Sequence, residues 1–207
     1  MIKPEIHPLF PTPVMMFNMN REFTKEEHRV FKDCAKNMRP NEGNKTSDER
    51  YILDKPEMST LNTELTDMVR LYMDAIINPS NKVSPYITQS WLNYTKEGQW
   101  HHKHEHPNSF ISGVLYIDAD AELDKINFYR PYPQYQQIKL NPKDWNQFNS
   151  ESWWFSVKTG MLVLFPSYLT HMVEAKKGKN TRTSLAFNTF LKGTIGSYDD
   201  LTELKNE

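Results

Sequence analysis

The stretch GMLVLFPSYLTHMV, residues 160–173, reads as a buried strand, a turn and the opening of a second strand. Met161–Pro166 is a near-continuous apolar run of strand length, and Ser167–Thr170 turns the chain. His171 then opens the next strand, so β structure anchors it on both sides. The same texture extends outward from this unit. YITQSWLNYT (86–95), FISGVLYID (110–118), KINFYRP (125–131), QQIKL (136–140), WWFSV (153–157), HMVEAKK (171–177) and RTSLAFNTFL (182–191) are short apolar segments set between turn residues. That spacing predicts an antiparallel sandwich or barrel.

The first 80 residues differ. Residues 24–38, TKEEHRVFKDCAKNM, place Val30, Phe31 and Ala35 at helical spacing, and Thr24 with Glu27 forms a capping-box pattern. NEGNKTSDER (41–50) reads as polar loop. Residues 59–77 carry Leu61, Leu65, Met68, Leu71, Tyr72 and Ala75 on one stripe of period 3.6, the signature of a helix packed on a core. The predicted fold class is therefore mainly β with N-terminal helices, a jelly roll buttressed by helices. The predicted organisation is a single domain over 1–207. Residues 1–80 give helical support, 86–192 the β core and 193–207 a C-terminal extension.

Composition excludes several function classes. The 207 residues carry 25 basic and 26 acidic side chains, a formal net charge of −1, so no basic field offers itself to nucleic acid. KKGK (176–179) reads as a solvated hairpin tip. No apolar run approaches the roughly 20 residues a membrane span needs. Cys34 is the single cysteine, so no intramolecular disulfide framework exists. The N-terminus, with four prolines in 13 residues, does not resemble a secretory signal, and a cytoplasmic location is expected (host cytoplasm if phage-encoded).

Seven histidines are present, and four of them fall in GQWHHKHEHPNSF, residues 98–110. Imidazole is the commonest side-chain metal ligand. On an extended segment alternate side chains share a face, which groups His102, His104 and His106 and turns His101, Lys103 and Glu105 away. Two such ligands do not hold iron, and the third should come from a distant strand. His171 is the other histidine of the β half. In RTSLAFN (182–188) alternation puts Arg182, Ser184, Ala186 and Asn188 on one face. An Arg and a Ser on an inward, otherwise apolar face call for an anion, and bidentate pairing with a carboxylate is the strongest solution.

With LFPTPV near the start, HKHEHPNSFISGVLYI, GMLVLFPSYLTHMV and RTSLAFNTFLKG, most of the chain resembles the 2-oxoglutarate- and Fe(II)-dependent oxygenases. More narrowly it resembles a bacterial and phage branch related to the prolyl-hydroxylase-like enzymes. The resemblance implies a double-stranded β-helix holding iron between its sheets, with Fe(II) as cofactor and 2-oxoglutarate and O2 as co-substrates. It gives His171 the role of distal metal ligand, and Arg182 and Ser184 the grip on the far carboxylate of 2-oxoglutarate. Tyr116 stands where related enzymes place a tyrosine against that carboxylate. The family's usual His-x-Asp or His-x-Glu pair is missing here, since His104 is followed at i+2 by His106. The preferred ligand and catalytic set is therefore His104, His106 and His171, which also suits zinc or nickel.

The expected function is hydroxylation of a substrate C–H bond coupled to decarboxylation of 2-oxoglutarate to succinate and CO2. Two rival readings are a tri-histidine dioxygenase that does not use 2-oxoglutarate and a non-catalytic metal-binding β-barrel module. The primary substrate, a protein side chain or a small metabolite, is not written in the sequence. YRPYPQYQQ (129–137) is a candidate substrate lid, and SWWF (152–155) reads as buried sandwich aromatics.

Overall fold

The computed structural model describes residues 4–131 and 140–207. Strand β1 (Met15–Asn18) is followed by helix α1 (Lys25–Cys34), strands β2 (Met38–Pro40) and β3 (Lys45–Ser47), and helix α2 (Ser59–Tyr72). Then come β4 (Val83–Thr95), β5 (His101–His104), β6 (Ile111–Asp118), β7 (Lys125–Tyr129) and β8 (Ser152–Ser156). The last strands are β9 (Met161–Pro166), β10 (His171–Val173), β11 (Arg182–Ile195) and β12 (Leu204–Asn206). Among the described residues these strands make two antiparallel sheets. One is 8-stranded, in the order β1-β9-β6-β11-β4-β3-β2 with β12 on β11, and the other is 4-stranded, β5-β10-β7-β8. The expected double-stranded β-helix with supporting helices is what the chain forms.

The alternation of β11 explains why the large sheet needs cover on both faces. Leu185, Phe187 and Leu191 join the core shared with Leu61, Leu65, Val69 and Tyr72 of α2. Arg182, Ser184 and Ala186 face the opposite way, into the space between the two sheets. A second apolar cluster, built on Ile126, Phe128, Val163, Phe165 and Leu169, closes that space. Close packing leaves no slack at β6. A Cβ on Gly113 would lie 2.2 Å from the Phe187 ring. Gly113→Ala is thus expected to destabilise the fold by about 2–3 kcal/mol through overpacking, read as a fall in the urea midpoint.

Both predicted helices form, with the expected cap on the first. Thr24 Oγ1 accepts from the Glu27 amide at 3.1 Å, and the Glu27 carboxylate accepts from the Thr24 amide at 2.8 Å. Arg21 pairs with Glu27 at 2.7 Å and with Glu64 of α2 at 2.8 Å, tying the two helices together. Burial alone would raise the Glu27 carboxyl, but the Arg21 and Thr24 hydrogen bonds hold it below the ordinary range.

Four expectations need correction or fall outside the described residues. The polar segment 41–50 contains β3, because Lys45–Ser47 pair with β2 and Lys45 and Thr46 also pair with Tyr94 and Asn93 of β4. Residues 1–80 are not only helical support, since β1, β2 and β3 all join the large sheet. Trp154 is exposed rather than buried, with the Lys125 ammonium 3.6 Å from its ring centre. The QQIKL segment lies outside the described residues except for Leu140, as does most of the candidate lid. Among the described residues, no helix is long and apolar enough to cross a membrane.

Candidate metal centre

His171 begins β10, where it pairs with His104 of β5 on one side and Phe128 of β7 on the other. Two residues further along β10, Val173 pairs with His101, three positions back on β5. The extra residue on β5 is a β-bulge, and a bulge re-aims the side chains around it. This overturns the strict alternation expected of the histidine segment. His101, and not His102, lines the inter-sheet pocket together with His104, His106 and His171. The His101 ring stacks on His104 with centroids 4.5 Å apart.

His106 lies beyond the end of β5, on the turn that leads to β6. Its amide donates to the Ser167 carbonyl at 3.0 Å. The turn is pinned in its own right: Ser167 Oγ donates to Ser109 Oγ at 2.7 Å and meets Ser112 Oγ at 2.8 Å. Ser112 Oγ in turn donates to Asn188 Oδ1 at 2.9 Å, so Asn188 bridges strands. The loop carrying one donor is thereby fixed to the strand ends beside His171.

The donor chemistry fits a divalent transition ion. His104 Nδ1 donates to the His102 carbonyl at 2.8 Å and His171 Nδ1 to the Leu169 carbonyl at 3.0 Å. Carbonyls accept only, so both rings carry their proton on Nδ1 and turn a lone pair outward from Nε2. His106 Nε2 lies 3.4 Å from His171 Nε2. Nitrogens sharing one ion at about 2.1 Å are themselves about 3.0–3.4 Å apart. The donor atoms of His104, His106 and His171 all lie within 4.8 Å of one another. Burial pushes His106 down to about 4, and burial with the neighbouring His104 pushes His171 to about 3. Both rings are therefore neutral near pH 7, the form a metal requires. Burial likewise pushes His101 to about 2.

A second trio, His101, His102 and His104, also brings three donor atoms within 4.8 Å. It shares His104 with the first. Glu105 belongs to neither trio, and its carboxylate instead accepts from Thr170 Oγ1. The structure thus brings His104, His106 and His171 together as the sequence suggested, with no carboxylate among them.

Arg182, Ser184 and Tyr116 line the same pocket. Ser184 pairs with Tyr116 of β6 and with Asn93 of β4, so the three side chains form one cross-strand row. Tyr116 is buried, which pushes its phenol up to about 12, so it stays a hydrogen-bond donor. Asn93 Oδ1 is buried with no partner among the described residues. Arg182 is 4 % exposed, and its Nη2 donates to Thr95 Oγ1 at 3.2 Å. The Asp124 carboxylate lies 3.7 Å from its Nη1, and among the described residues its other N–H groups have no hydrogen-bond partner, which leaves donors for an incoming anion. Sequence reasoning missed Asn93 and Thr95, and it turned His101 away from the pocket it lines. Asn93 and Thr95 could have been found by pairing β4 against β11, but the bulge left no local signal.

Walls of Trp91, Val114, Ile126, Val173 and Ala186 enclose this pocket. Through His106 it meets a groove of about 700 Å³, lined by Pro13, Tyr72, Ile76, Ile77, Phe110 and Tyr168. The arrangement joins an enclosed pocket lined by imidazoles and a guanidinium to an open, largely apolar groove.

A β-helix with a histidine trio and a buried guanidinium offers neighbouring seats for a divalent metal and an anion. Residues 89–188 match the sequence family described as "Putative 2OG-Fe(II) oxygenase". The match lies within the β region, and that family's description implies Fe(II) and 2-oxoglutarate. Solved structures share the fold. An oxidoreductase of the 2OG-Fe(II) oxygenase family from Burkholderia pseudomallei matches with a TM-score of 0.57 and 16% identity, over 85% of this chain and 83% of that one. HygX from Streptomyces hygroscopicus, solved with nickel, 2-oxoglutarate and hygromycin B, gives 0.56 and 10% over 86% and 82%. A Pseudomonas putida prolyl-4-hydroxylase gives 0.53 and 12% over 86% and 92%. No curated protein matches the chain.

Proposed function

We propose that the protein is a 2-oxoglutarate-dependent hydroxylase in which His104, His106 and His171 hold Fe(II). The observation that supports it most is the shared pocket, lined both by His104, His106 and His171 and by a buried Arg182 with N–H groups to spare. Bound iron, with 2-oxoglutarate and O2, supplies the oxidising chemistry: substrate C–H becomes C–OH while 2-oxoglutarate becomes succinate and CO2.

The chain's own residues bind, orient and exclude. Arg182 receives the distal carboxylate, and Ser184 and Tyr116 donate to it from the same row. The Leu169 and His102 carbonyls fix the rotation of His171 and His104, so ligand geometry is set before any ion binds. Apolar walls keep water from the pocket. The groove beside His106 admits the primary substrate, and its lining favours an apolar body over a charged one.

The decisive experiment incubates anaerobically purified protein with Fe(II) and 2-oxoglutarate, admits O2, and measures succinate with and without candidate substrates. Slow succinate release is expected even without primary substrate. Complete absence of succinate across candidate substrates would favour the tri-histidine dioxygenase that does without 2-oxoglutarate.

A further inference from the structure

Lys176 contradicts the expectation of a solvated KKGK tip. Lys177 and Lys179 are exposed, but the Lys176 side chain is fully buried. Its ammonium lies 3.2 and 3.3 Å from the two carboxylate oxygens of Asp124. Gly178 leaves room for it, since a Cβ there would stand 3.0 Å from Nζ. Asp124 also accepts from the Asp120 amide at 2.8 Å and lies 3.7 Å from Arg182 Nη1, too far for a hydrogen bond. A buried ion pair rarely adds net stability over apolar residues of similar size, so its presence beside Arg182 calls for another reason.

Charge counting supplies one. Lys176 and Arg182 carry two positive charges against one negative on Asp124, leaving the cluster one positive over. With Lys176 removed, Arg182 would be the nearest cation to a buried carboxylate. Bidentate pairing would then take the guanidinium edge that an incoming anion needs.

We propose that Lys176 is a positioning residue for the co-substrate: by occupying Asp124 it keeps the Arg182 guanidinium free for the distal carboxylate of a dicarboxylic 2-oxo acid. The pocket thereby selects a dicarboxylate over a monocarboxylate. This rests on the reading of Arg182 as the co-substrate anchor.

The test is calorimetric binding to the Ni(II)-loaded full chain with two probes. One is 2-oxoglutarate; the other is 2-oxobutanoate, which keeps the 2-oxo acid and lacks the distal carboxylate. Lys176→Met is expected to weaken 2-oxoglutarate about tenfold or more while moving 2-oxobutanoate less than about twofold. Adding Asp124→Asn should bring 2-oxoglutarate back to within about threefold of wild type, because a neutral amide no longer competes for Arg182. A Lys176→Met protein that loses both probes equally, or a double variant as weak as the single, overturns the proposal. If Lys176→Met does not fold, the double variant decides alone, since near-wild-type affinity supports the proposal and a large loss overturns it. Arg182→Leu separates the two levels. Wild-type 2-oxoglutarate affinity in that variant removes the anchor reading itself, and the proposal with it. Loss there with no loss in Lys176→Met removes only the role given to Lys176.

Discussion

His171→Ala is expected to lower affinity for a divalent transition metal by more than about 100-fold, beyond the usual cost of losing a mere partner of a ligand. Succinate formation should fall to background with it. The reason is positional. His104 and His106 are two residues apart in sequence, whereas His171 reaches them from a separate strand through its pairing with His104. Without it, two nitrogens remain, and two do not close a facial set. Ni(II) titration by calorimetry measures the loss, and far-ultraviolet circular dichroism checks that the fold survives a cavity beside Phe165 and Phe128. His7→Ala, on an exposed terminal segment, is the control and should bind as wild type. The competing trio His101, His102 and His104 makes the opposite forecast. Were it the true seat, His171→Ala would bind metal normally and His102→Ala would not.

The fold was legible in the sequence because burial on both faces of the large sheet leaves apolar runs that only strands of this length explain. Met161–Pro166 and Arg182–Ile195 are both strands in the structure, and the alternation read at 182–186 places Arg182, Ser184 and Ala186 in the pocket. Sheet order was not legible, because it depends on non-local pairing. Residues 41–50 looked like loop because they carry no apolar side chain: β3 pairs with β2 just before it and with β4 nearly 50 positions later. The β5 bulge is likewise a property of two strands, so the sequence pointed to His102 where the structure turns in His101. Lys176 shows the same limit in electrostatics. A short run of lysines is usually solvated, and the partner that allows one to be buried lies 52 residues away.

Arg182→Leu should raise the KM for 2-oxoglutarate by at least about 100-fold, the loss of two charge-assisted hydrogen bonds at about 1.5–3 kcal/mol each. Metal affinity should change far less, because Arg182 is not one of the grouped donors and its hydrogen bond goes to Thr95. The usual objection to deleting a buried charge is that it strands a partner. Here that objection is weak. Asp124 keeps both contacts to Lys176, so the variant leaves a balanced buried pair and a leucine in a pocket already walled by Val114, Ile126 and Ala186. Arg182→Lys tests geometry apart from charge: it retains the positive charge but gives up the planar fork, and should recover only part of the affinity. The measurement is initial succinate rate against 2-oxoglutarate concentration, with Ni(II) calorimetry on the same preparations. If Arg182→Leu keeps the wild-type KM, the guanidinium serves something other than this co-substrate. The three histidines would then have to activate O2 on the primary substrate directly, as a tri-histidine dioxygenase does.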